Sequence, residues 1–207
     1  MTVFEKSSVH SDFLKYAHSN GAYNGVQEDI IVDSFINSYD SFKYYSSDEI
    51  LQIKTVISAR RLPNTKSDEN GIIENVDIRR LSEDVLSQLS DLDDYTQITQ
   101  KAISLLQKEE YITLSSEEYA VLCVTAATFA DSYQYWADNI ADIIGEPQTK
   151  SSAFWGYVKK YAIADAEEGL ASACVSAIFG PLCLEAIFVS AGVGSMIVCG
   201  KDIIAMI

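Results

Sequence analysis

The chain has 207 residues, with 30 acidic against 15 basic side chains and a formal net charge of -15. That balance argues against nucleic acid as a partner, because phosphate affinity comes from Lys and Arg displacing counterions, and it opposes standing attachment to an anionic lipid surface. The length suits one helical domain over residues 1–207, able to bury a core without metals or disulfides.

The start, Met1-Thr2-Val3-Phe4-Glu5-Lys6, shows no basic segment followed by an apolar run. The expectation is a cytoplasmic protein, or an extracytoplasmic one if a leader has been removed. Apolar residues then recur every three or four positions, and no stretch alternates strictly between turn signals, so the fold class is all-α. The spacing predicts helices near Val9–Ser19, Val26–Tyr39 and Asp48–Arg60, the last opened by Ser46 three residues ahead of Glu49. In such a pair the serine and glutamate side chains satisfy each other's backbone N–H groups at a helix start.

Arg61 to Gly71 is polar, contains Pro63, and reads as a loop. Further helices are expected at Val76–Ser90, Tyr95–Lys108, Ser116–Ile144 and Ser151–Glu168, with Ser115 and Glu118 repeating the capping pair. The helix from Ser116 is expected at the centre of a multi-helix bundle. Its consecutive Val121, Leu122, Cys123 and Val124 point in all directions and need neighbours on most sides. Farther on, Phe129, Tyr133, Trp136, Ile140 and Ile144 return to one-sided spacing, so this second half is expected at the surface, with Asp131, Asp138 and Asp142 toward solvent.

Leu170 to Gly200 holds a single charge, Glu185. An unbroken helix of that length would run about 45 Å, beyond a hydrocarbon core of about 30 Å. Gly180-Pro181 divides it, and two helices joined there form an apolar αα-hairpin over residues 170–207, read as buried in the bundle. Glu185 is expected to face water and the positive end of the second helix. The same segment has a membrane reading: Leu182, Leu184, Ile187, Phe188, Val189, Val193 and Ile197 are the candidates for insertion into a bilayer.

No catalytic, cofactor-binding or metal-binding constellation is read from the sequence, and no cofactor is expected. His10 and His18 stand about 12 Å apart along a helix and cannot share one ion. Asp91, Asp93 and Asp94 read as an acidic helix start, and Glu167-Glu168 as a solvated helix end. Tyr39, Phe42, Tyr44 and Tyr45 read as packing rings, with sugar or peptide stacking as the alternative. Tyr133, Tyr135, Trp136, Trp155, Tyr157 and Tyr161 are expected to hold two successive helices together. Cys123, Cys174, Cys183 and Cys199 read as buried thiols, a Cys174–Cys183 disulfide being the alternative in an oxidising compartment.

Three islands, His10 to Tyr16, Tyr133 to Trp136 and Ala164 to Ala166 ahead of a small-residue tail, resemble an uncharacterised bacterial family of exported helical proteins with an Ala/Gly-rich C-terminal segment. Residues 1–6 do not show the leader of that pattern, and the tail is bulkier than the pattern has it. The resemblance implies a helical architecture and no activity. The functional expectation is a non-enzymatic protein that binds another protein, a basic one by charge complementarity. The alternative is a membrane-active effector whose C-terminal hairpin enters a bilayer.

Overall fold

The computed structural model describes residues 3–24, 27–59, 76–144, 151–176 and 184–206. Among these the regular structure is entirely helical, with no strand. The elements are α1 (Val3–Lys6), α2 (Ser8–Ser19), α3 (Glu28–Ser38), α4 (Ser47–Ala59), α5 (Val76–Ser90), α6 (Tyr95–Leu106), α7 (Glu109–Ile112), α8 (Ser116–Ile144), α9 (Ser152–Ser176) and α10 (Leu184–Met206). Short 3-10 turns occupy Ala22–Asn24 and Asp40–Tyr44. The Arg61–Gly71 loop expected from the sequence lies outside the described residues, as does the Gly180-Pro181 turn.

Both capping pairs form. The Ser46 N–H donates to Glu49 Oε2 at 2.7 Å and the Glu49 N–H donates to Ser46 Oγ at 3.3 Å. Ser115 and Glu118 make the same exchange at 3.0 and 3.2 Å, fixing the start of α8. The acidic run precedes α6 rather than forming its first turn: Asp94 is the N-cap and accepts from the Gln97 N–H at 2.9 Å.

α8, α9 and α10 pack most extensively on one another, and α2, α4, α5 and α6 lie around them. The central role expected for α8 follows from its burial: Leu122, Val124 and Phe129 are inside, and so are Tyr133, Tyr135, Trp136 and Ile140. Its second half is therefore less superficial than its one-sided spacing suggests, because α9 covers it. The rings do that joining: Tyr133 stacks on Trp155 with centroids 5.9 Å apart, and Trp136 meets Tyr161 at 4.6 Å.

Three expectations are corrected. α9 does not stop at Glu168; it runs on to Ser176, so the first arm of the apolar hairpin is the end of α9 itself. Gly169 sits inside that helix, and a Cβ there would lie 3.2 Å from Thr128 Oγ1, so the glycine serves close approach of α8 rather than termination. Glu167 and Glu168 are consequently mid-helix residues. Glu185, expected to face water, is buried at 7 % exposure and satisfied by Lys6 Nζ at 2.7 Å. Among the tyrosines read as packing rings, Tyr39 stacks on Phe35, while Tyr44 stands 91 % exposed.

Candidate functional site

α2 turns Val9, His10, Phe13, Leu14 and Ala17 inward. His10 thus occupies a position on the apolar stripe, where a helix facing a core would ordinarily place a hydrophobe. The buried stripe of α9 runs through Val158, Tyr161, Ala162 and Ala166, and Asp165 falls in the same row. These two positions meet. His10 Nε2 lies 2.9 Å from Asp165 Oδ2, and both side chains are wholly buried.

The other ring nitrogen, Nδ1, lies 2.9 Å from Asp131 Oδ2 on α8. Asp131 is 20 % exposed, so it forms the outer end of the cluster rather than the freely solvated residue expected from the sequence. Ser11 also donates to Asp131 Oδ2, at 2.5 Å. Asp165 is more heavily supplied: Oδ2 accepts from Ser132 Oγ at 2.5 Å and Trp136 Nε1 at 3.3 Å, and Oδ1 from the Ser195 N–H of α10 at 2.8 Å. One carboxylate therefore ties α2, α8, α9 and α10 together.

A ring flanked by carboxylates on both nitrogens donates from both, which is the imidazolium. Burial alone would lower the His10 pKa, but the charges and hydrogen bonds of Asp165 and Asp131 outweigh it and raise the value to about 9. The cluster is a charge lock. With both N–H groups committed, the His10 ring has no lone pair left over, and the Asp165 side chain is wholly buried.

A second polar group closes the far end of α10. Tyr161 donates to Asp202 Oδ2 at 2.9 Å, and Lys160 Nζ reaches both Asp202 oxygens at 2.7 Å. Burial would raise the Asp202 carboxyl, but those hydrogen bonds and the Lys160 charge hold it below its ordinary value. Burial pushes the nearby Cys199 thiol up to about 12, which keeps it protonated and unreactive. Cys123, Cys174 and Cys199 carry free thiols; Cys183 lies outside the described residues, so the disulfide alternative falls there. On the surface, a shallow apolar groove of about 260 Å³ is lined by residues of α1, α6 and α8, among them Phe4, Ile103 and Tyr119.

Of the residues singled out for membrane insertion, Ile187, Phe188, Val189 and Val193 are buried within the bundle, Leu184 and Ile197 are half-buried, and Leu182 lies outside the described residues. His18 is exposed, and its ring meets that of Tyr23 edge-on with centroids 5.8 Å apart. Among the described residues no group of three or more His, Cys, Asp and Glu is placed to hold a metal ion.

Nothing in the spacing along the sequence marks His10 and Asp165 as partners. The available signal was weak: an ionisable residue at a core position on each of two helices. His10, Trp136 and Asp165 each belong to one of the three islands that carry the family resemblance, and the fold brings all three together. In comparisons with known proteins, no family model, curated protein or solved structure matches the chain.

Proposed function

We propose that this chain is a non-enzymatic helical protein that acts by binding another protein. The observation supporting this most is the closure of its central polar cluster. His10 and Asp165 are fully buried and spend their hydrogen-bonding capacity on one another and on neighbouring helices. Such chemistry organises the fold and leaves the exterior as the working surface. That exterior belongs to a chain with 15 negative charges in excess, which favours a basic partner through faster encounter and complementary potential.

The test is affinity capture from native extract, followed by calorimetry on the purified pair. A basic protein recovered near one-to-one, with affinity that falls as salt rises, supports the reading. Binding indifferent to salt removes the electrostatic part of it, and the absence of any stoichiometric partner removes the whole.

A second reading is favoured by α10. Leu184–Ala205 is long and apolar enough to cross a bilayer, with a mean hydropathy of 1.6 in its best window. In this reading the protein is a membrane-active effector that stores the segment inside the bundle. Dye release and flotation with liposomes at neutral and acidic pH decide it; no leakage and no association under either condition eliminates it.

A further inference from the structure

α2 lies against the middle of α10 with almost no clearance. A Cβ at Gly192 would come 2.7 Å from Phe13 Cδ1 and 3.4 Å from Leu14 Cδ2, so bare backbone is what admits the two side chains. Phe13, Leu14 and Val193 are fully buried at this contact. α2 is therefore the cover over this part of α10. Its attachments through charged groups include His10 to Asp165 and Asp131, Ser11 to Asp131, Tyr39 to Asp12 and, from α1, Lys6 to Glu185.

The supply of partners around His10 is unequal. Asp165 keeps three donors that do not belong to α2: Ser132 and Trp136 from α8, and the Ser195 N–H from α10. Asp131 is partly exposed, so water can replace the imidazole there. Among the described residues, the His10 ring has only the two carboxylates. A neutral imidazole has one donor and one lone pair, so one nitrogen would then face a carboxylate oxygen 2.9 Å away without a proton between them. Asp165, wholly buried, would also lose its counter-ion in a dry site. The strain falls on α2, because α8, α9 and α10 remain joined through Asp165 without it.

We propose that α1 and α2 form a proton-held strap over the apolar helix α10, which comes away from the α8–α9–α10 unit when His10 loses its proton. Among the described residues, Asp131 on α8 and Asp165 on α9 act on His10 directly; Tyr135 on α8, Tyr23 on the 3-10 turn and Cys199 on α10 feel the Asp165 charge, and Tyr161 on α9 lies beside Tyr23 and Cys199. The strap's other charged groups are engaged elsewhere, Lys6 with Glu185 and Asp12 with Tyr39. Burial raises Tyr23, Tyr135 and Cys199, so these stay protonated through the range in which His10 titrates. The carboxylates hold the imidazolium to about pH 9, which places the release on the alkaline side. The helix uncovered is, among the described residues, the one both long and apolar enough to span a bilayer.

Hydrogen exchange read by mass spectrometry tests the strap on the full chain, with rates corrected for the intrinsic effect of pH. In the wild type, amide protection in Ser8–Ser19 and around Gly192 should fall at least tenfold between pH 7 and pH 10, while α8 and α9 keep theirs. A histidine NMR titration of the same protein should place the His10 proton loss at the same pH. His10→Gln should show the lowered α2 protection already at pH 7 and no further step. If α2 opens only together with α8 and α9, or opens while His10 is still protonated, the proposal is overturned. The wild-type series decides this even where a variant does not fold. A step that persists in His10→Gln also overturns it.

Discussion

Asp165 and His10, 155 residues apart in sequence, share a 2.9 Å hydrogen bond between Oδ2 and Nε2 with no solvent at either side chain. A charged pair in such a place costs desolvation that its own attraction barely repays, so its worth lies in what happens when one member is lost. The counter-charge of Asp131 and the donors from Ser132, Trp136 and Ser195 complete the compensation.

Asp165 and Asp131 should therefore differ sharply under substitution. Asp165→Ala leaves a buried imidazolium short of its inner partner and strips three other donors, and should cost about 3–5 kcal/mol. Asp131→Ala removes a partly exposed carboxylate whose place water can take, and should cost about 1–2 kcal/mol. Urea unfolding of the two variants measures both values. Equal losses would show that the network is not organised around Asp165.

The pH dependence of stability has a definite sign. The folded-state pKa of His10, about 9, lies above its ordinary value of 6.5. The stabilisation is thus complete below pH 6.5 and is lost as pH rises through 9, amounting to about 3 kcal/mol from this group. Thermal melts between pH 6 and pH 10 should show this decline in the wild type and a flatter profile in His10→Gln. A wild-type stability that is level across the range contradicts the charged assignment of the ring.

Much of the architecture was legible because it rests on local pattern. The run Val121 to Val124 needs neighbours on all sides whatever those neighbours are, and Ser46–Glu49 and Ser115–Glu118 carry their hydrogen bonds within one turn. The helix expected to end at Glu168 runs on, and the residue after it, Gly169, is as compatible with a helix end as with a point of contact. Only Thr128, from another helix, decides between them. The charge lock was illegible for a related reason. His10, Asp131 and Asp165 lie on three helices, and nothing in the spacing along any one helix says that their polar atoms converge.

Gly192 gives a direct test of how closely α2 and α10 approach. Gly192→Val places branched carbon where Phe13 already stands, and neither residue has free space to yield. The expected cost is about 1–3 kcal/mol, the usual range for overpacking a filled core. Phe13→Leu in the same chain should return part of that loss, and a double-mutant cycle with no coupling between the two sites would rule out the contact.

Val193 carries the question of whether α10 is core or stored membrane span. It is fully buried one residue from the Phe13 contact, in a helix whose charges sit only near its ends, at Glu185 and at Lys201 and Asp202. Val193→Asp puts a carboxylate into that apolar stretch with no counter-charge provided, and should cost at least about 3 kcal/mol or leave the chain unfolded. The same change would also oppose insertion into lipid, so stability and liposome binding must be measured together. A large loss of stability, in a wild type that stays monodisperse without detergent and ignores liposomes, makes α10 the core of a soluble bundle. A variant that melts as the wild type does would mean that Val193 is not enclosed in solution, and the membrane reading would then replace the protein-binding one.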